Sequence, residues 1–204
     1  MKMRVACLFA VVLGVAFQTF GACGDNPINL LRLSNCGFDV DISGWTLVRG
    51  DLFVHHPIEG YSDPGAGYIE PTYYAILQRA EFELDSPCVQ VANFTEYYFG
   101  AYVKAAVGAV TCGVFLFEYS DTTCGNWLSG IGGSPTTSYG DWVRMESQLT
   151  TSPITQSARI RFWCQDVSVF QALIDDAFIQ NIPLDIFADG FESGDTTAWS
   201  NTVP

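Results

Sequence analysis

A chain of 204 residues with 49 % apolar and 14 % aromatic content can build one packed domain, which excludes general disorder. Its formal charge of −13 and pI of about 4.2 exclude the basic surface that nucleic acid or an anionic membrane requires of a partner.

The chain opens on Lys2 and Arg4, followed by an apolar run from Val5 to Phe17 and then Phe20-Gly21-Ala22. A short basic start, an apolar stretch of this length and small residues behind it predict a secretory signal peptide over residues 1–22. A spanning helix needs about 20 apolar residues, so neither this run nor any later one qualifies, and no integral membrane association is expected. Secretion is the primary expectation. The alternative is a lipoprotein anchored through Cys23, although Phe20-Gly21-Ala22 fits such a site poorly. Loss of the signal removes Lys2 and Arg4, leaving 7 basic residues against 22 acids and a charge of −15. Polyanions are repelled by such a surface; neutral glycans and calcium remain open as partners.

Cys7 leaves with the signal, so six cysteines remain if Cys23 is unmodified, at positions 23, 36, 88, 112, 124 and 164. An even set in an oxidising compartment predicts up to three disulfides among 15 possible pairings. One pair has a local argument: Cys112 and Cys124 bracket an apolar strand and its turn, so a bridge would tie the strand to its loop. Cysteine or histidine metal binding is disfavoured, because no CxxC pair exists and the only histidines are the adjacent His55 and His56.

From about Asn35 to Asn181 short runs with period-two alternation are broken by Gly, Pro, Asp and Ser. Phe82 and Leu84 alternate with Glu81, Glu83 and Asp85. Further strands are predicted at Tyr97–Ala105, Val110–Tyr119, Trp142–Thr150 and Phe170–Ile179, with Phe115 and Phe117 expected in the core. The Gly- and Ser-rich stretch Cys124–Tyr139 reads as an exposed loop. In Arg159–Cys164, Ile160, Phe162 and Cys164 share one face, and Arg159, Arg161 and Trp163 take the other. Many short strands without helical periodicity predict an all-β, antiparallel β-sandwich or barrel. The expected domain spans 23–182, with its core at about 35–181, and an acidic tail covers 183–204.

Three stretches resemble known modules. Asn35-Cys36-Gly37-Phe38-Asp39 with Gly44-Trp45 resembles the opening segment of bacterial carbohydrate-binding jelly rolls. Tyr97–Ala105 resembles their central strand, and Ile174-Asp175-Asp176-Ala177-Phe178-Ile179 their closing strand. The modules meant are the galactose-binding-like sandwiches attached to xylanases and cellulases. The resemblance implies a non-catalytic jelly-roll sandwich of eight or more strands, often with structural calcium; the cysteine count adds the expectation that disulfides stabilise it. The positions matching the family's metal site are Asp39 and Asp175, with Asp41 nearby; turn-capping, solvent-facing acids are the competing reading. The tail sequence Asp189-Gly190-Phe191-Glu192-Ser193-Gly194-Asp195, followed by Trp199, echoes the opening segment. It reads as a vestigial opening strand or a secretion-related tag, such tails being shared by many secreted bacterial proteins.

Sugar binding by such modules sets flat aromatic faces against pyranose C–H groups. The aromatics in suitable positions are Tyr61, Tyr68, Tyr73, Tyr74, Trp127, Tyr139 and Trp163. Catalysis has little support: His55 and His56 point to opposite faces of a strand, and neither Gly-x-Ser-x-Gly nor a phosphate loop is present. Asn93-Phe94-Thr95 matches a glycosylation acceptor, expected to be silent in a bacterial protein. The expectation is a monomeric, stand-alone binder of a neutral glycan. The alternative is an extracellular surface or matrix protein without sugar affinity.

Overall fold

The computed structural model describes Cys23 and residues 26–181; the signal segment and the tail lie outside the described residues. Thirteen strands are present among them. In chain order they are β1 (Thr46–Arg49), β2 (Leu52–His56), β3 (Ala66–Glu70), β4 (Thr72–Tyr74), β5 (Arg79–Asp85), β6 (Val89–Gln90) and β7 (Glu96–Val107). Then follow β8 (Val110–Tyr119), β9 (Trp127–Gly132), β10 (Thr136–Ser138), β11 (Val143–Thr150), β12 (Ser157–Asp166) and β13 (Gln171–Gln180).

All pairings are antiparallel, and they divide into two sheets. The first runs β1-β5-β12-β8-β10, with β4 beside β5, β6 beside β12 and β9 beside β8. The second runs β11-β7-β13-β3-β2. Alternation explains the packing: Phe82 and Leu84 of β5, Val114 and Leu116 of β8, and Ile160 and Phe162 of β12 turn inward from the first sheet. Phe99, Ala101 and Val103 of β7 and Met145 of β11 meet them from the second. Such burial is the main stabilising term in a two-sheet sandwich. The opening segment closes one end of this core. Phe38 is fully buried, with its ring 5.0 Å from Trp45, and Trp45 stacks on Phe162 at 5.7 Å.

The disulfides are Cys23–Cys36, Cys88–Cys124 and Cys112–Cys164, so the expected Cys112–Cys124 bridge is replaced. The physical reason is register. Cys112 on β8 and Cys164 on β12 are directly opposite one another, both facing the core, with Cα atoms 4.0 Å apart. Cys124 lies beyond the end of β8 and meets Cys88 after β5 instead. The bond to Cys36 occupies the Cys23 sulfur, which a lipid anchor would need.

Two further expectations are corrected. The stretch read as a loop contains β9 and β10, both paired to β8. Phe115 and Phe117 lie outside the core, because Cys112, Val114 and Leu116 set the inward phase of β8 and the two phenylalanines fall on the opposite face. His55 and His56 sit on adjacent positions of β2, so they point to opposite faces.

Candidate functional site

The outer face of the first sheet carries a groove of about 440 Å³, within the roughly 300–1,000 Å³ of small-molecule sites. Period-two alternation builds it. Arg161, Trp163 and Gln165 turn outward from β12 while the residues between them face the core. Strand β5 contributes Arg79, Glu81 and Glu83, and β1 ends on Arg49. From the other side β8 adds Phe115 and Phe117, and β9 adds Trp127 and Gly130. The groove therefore crosses five neighbouring strands, β1-β5-β12-β8-β9. Its two halves differ: ionic over β1 and β5, aromatic over β8 and β9.

Glycines make the aromatic half flat. A Cβ on Gly113 would stand 2.6 Å from Trp163 Nε1, so the indole lies over the backbone of its partner residue on β8. Gly130 and Gly132 are the register partners of Phe117 and Phe115, and they leave the two phenyl rings the same room. The rings of Phe115 and Phe117 are 6.2 Å apart at 15°, and Phe115 lies 6.3 Å from Trp163. Trp127 stands beside them, 64 % exposed.

In the ionic half, Arg49 and Arg79 both pair with Glu81. Arg161 reaches Asp85 at 2.6 Å and Glu83 at 3.3 Å, and Arg159 adds a contact to Asp85 at 3.4 Å. Hydrogen bonding to Glu81 raises the pKa of Arg49, and bonding to Asp85 does the same for Arg161. Both guanidinium groups also lie over rings, Arg161 over Phe117 at 5.1 Å and Arg49 over Tyr74 at 5.7 Å. Planar groups fixed in this way offer rows of hydrogen-bond donors and acceptors along one wall.

The second sheet has its outer face partly covered. The segment between β2 and β3 folds across it, with Tyr61 stacked on Tyr102 at 3.6 Å and Trp142 edge-on to Tyr61 at 6.0 Å. Lys104 pairs with Glu59 of the same segment, and burial raises the Tyr102 pKa.

The structure thus separates the aromatics proposed from the sequence. Trp127 and Trp163 line the groove, and Tyr74 supports it from beneath Arg49. Tyr73 is 46 % exposed on β4, beside β5. Tyr61 and Tyr68 belong to the opposite side of the molecule, where the Tyr68 hydroxyl donates to Glu70 at 2.9 Å. Tyr139, 81 % exposed between β10 and β11, does not line the groove. Sequence reasoning missed Arg49, Arg79, Glu81, Glu83 and Arg161 as groove residues. The signal was available, because alternation in β12 puts Arg161 on the face of Trp163.

The acids named as calcium ligands divide as well. Asp175 is buried on β13, where Oδ2 accepts the Tyr61 N–H at 2.5 Å. Register slips between Asp175 and Phe178, and Asp176 takes a positive φ of 46° in this bulge. Burial first, then the charges of Asp176 and Asp39, push the Asp175 pKa up to about 8. Burial likewise raises Asp176, with Asp39 and Asp63 adding to it. The carbonyls of Asp63 and Gly65 converge beside Gly60 and the Asp175 carboxylate. Asp41 stands apart in a turn, where Oδ1 accepts from Ser43 N at 2.8 Å and Asn35 Nδ2 at 2.8 Å. Among the described residues no three His, Cys, Asp or Glu side chains form a metal-spaced group, so a cation here would draw on main-chain carbonyls. That mixed oxygen set matches the chemistry of calcium.

No protein-family model matches the chain, and no curated protein matches it. Solved structures do. A CBM61 module in complex with β-1,4-galactotriose is 16 % identical with a TM-score of 0.56, covering 76 % of this chain and 99 % of its own. The CBM22-1 xylan-binding domain of Paenibacillus barcinonensis Xyn10C is 16 % identical with a TM-score of 0.52, covering 71 % of this chain and 90 % of its own. The enzymatically active domain of bacteriophage CBA120 tailspike protein 4 is 17 % identical with a TM-score of 0.57, covering 76 % of this chain and 22 % of its own. The fold is the β-sandwich of carbohydrate-binding modules. At these identities the likeness is one of fold, and function has to be argued from the groove.

Proposed function

We propose that this protein is a secreted, non-catalytic module that binds a neutral glycan in the groove of the first sheet. The observation that carries the reading is one groove holding flat-lying aromatic rings on one side and fixed ion pairs on the other. A pyranose presents C–H groups on its faces and hydroxyls at its rim. Its face stacks on Trp163 and Phe115, with Trp127 closing the rim, and its hydroxyls meet Arg49, Glu81, Glu83 and Arg161, the last held over Phe117. The guanidinium groups are already matched by carboxylates, and the whole chain is acidic, so an uncharged polymer fits better than a polyanion. The groove carboxylates are engaged in ion pairs with arginines of the same face, which supports a binding rather than a hydrolytic role. Three disulfides suit an extracellular protein. Galactan and xylan oligosaccharides are the first probes, because the solved neighbours bind these. Saturable binding by calorimetry, with no released reducing sugar, is the expected result. Absence of binding across neutral glycans would move the assignment to an extracellular interaction protein.

Calcium belongs in this proposal as a scaffold. The Asp175 carboxylate with the Asp63 and Gly65 carbonyls would hold it, the nearby charges of Asp39 and Asp176 would favour a cation there, and the β2–β3 segment would be fixed against β13. Saturation at about 100 times Kd stabilises by about 2.7 kcal/mol. Chelator is therefore expected to lower the melting temperature by about 5–10 °C in a chain of this size. An unchanged melting curve contradicts the calcium assignment and leaves the groove untouched.

A further inference from the structure

The charge of this protein is unevenly placed. Between residues 26 and 181 the chain has 17 acids and 7 cations. Four of those cations, Arg49, Arg79, Arg159 and Arg161, share the outer face of the first sheet with three acids, Glu81, Glu83 and Asp85. That face has one positive charge in excess, and everything else in the span sums to −11. Residues 182–204 contain Asp185, Asp189, Glu192 and Asp195, no Lys, Arg or His, and the aromatics Phe187, Phe191 and Trp199. An acidic, aromatic segment is repelled by the rest of the surface; the groove face, with its arginines and carboxylates nearly balanced, does not repel it, and its aromatic half offers rings to Phe187, Phe191 and Trp199.

We propose that the C-terminal segment 183–204 docks in the groove of its own chain, acids toward the arginines and rings toward the aromatic half, and competes there with glycan. The competition rests on the glycan reading; the docking does not. Reach permits it. Asn181 follows β13 of the second sheet, the two sheets pack about 10 Å apart, and 23 residues extend to about 75 Å. A tethered segment acts at millimolar effective concentration, so modest affinity suffices. Glycan then sees only the open fraction of molecules, and its apparent affinity falls in proportion.

The test uses the whole mature protein with 15N-labelled indoles. The comparison is with a variant carrying Asp185→Asn, Asp189→Asn, Glu192→Gln and Asp195→Asn. The Nε1–H resonances of Trp127 and Trp163 are expected to shift in the variant and to shift the same way in the native chain at high salt. Trp45, buried in the core, stays in place as the control. Coincident Trp127 and Trp163 resonances in the two proteins would overturn the proposal. Shifts that grow with protein concentration would also overturn it, by placing the segment on a second copy. Where a glycan ligand is in hand, the variant binds it about threefold or more tightly. No glycan binding by either protein would refute the glycan reading and leave the resonance test valid.

Discussion

Replacing Trp163 by alanine is expected to weaken glycan binding about 30-fold, the equivalent of about 2 kcal/mol for a central aromatic anchor. Trp163 occupies the middle strand of the groove, flat over Gly113 and next to Phe115, so its ring face is the floor on which a pyranose rests. Phenylalanine at the same position keeps a ring and should recover most of the affinity. Trp127→Ala acts at the more exposed rim and is expected to cost less, about tenfold. Both substitutions leave the inner faces of β12 and β8 intact, so thermal unfolding should stay close to that of the native protein. Calorimetric titration alongside the melting curve checks this. Equal affinity for Trp163→Ala and the native chain removes the groove from the account.

Removing the Cys112–Cys164 bridge, by alanine at both positions, is expected to lower stability by about 4 kcal/mol. The bridge closes a span of 52 residues, for which the chain-entropy relation gives about 4 kcal/mol at 25 °C. Both sulfurs also lie in the core, and alanine there leaves two small voids. The bridge links β8 to β12, the two strands that carry Phe115, Phe117, Arg161 and Trp163. Denaturant unfolding should show a lower midpoint with glycan affinity kept in the folded fraction. An unaltered midpoint would contradict the pairing; under it, the bridge expected from the sequence, Cys112–Cys124, would span only a short hairpin and contribute less.

Sheet class was legible because alternation needs no partner: Phe82, Leu84, Ile160 and Phe162 declare their face locally. The opening and closing segments were legible by resemblance instead, since Phe38, Trp45 and Asp175 belong to stretches that resemble the motifs of carbohydrate-binding jelly rolls. The disulfides were not. Cys112 meets Cys164 through a register between strands 52 residues apart, which no local spacing encodes. Phe115 and Phe117 were misplaced because large apolar rings suggest burial. Their exposure depends on Gly130 and Gly132, which arrive on a strand whose glycine and serine content reads as a loop. Tyr61, named for binding, stays 42 % exposed but stacks on Tyr102 over the other sheet, away from the groove. Groove residues come from five strands, and only the strand order places Arg49 with Trp163.

The most direct test of the central claim is an NMR titration of the 15N-labelled protein with soluble neutral oligosaccharides. The account predicts saturable shifts confined to outward positions of β5, β12, β8 and β9 and to the indoles of Trp127 and Trp163. Shifts centred instead on Tyr61, Tyr102 and the segment over the second sheet, or none with any neutral oligosaccharide, would contradict it.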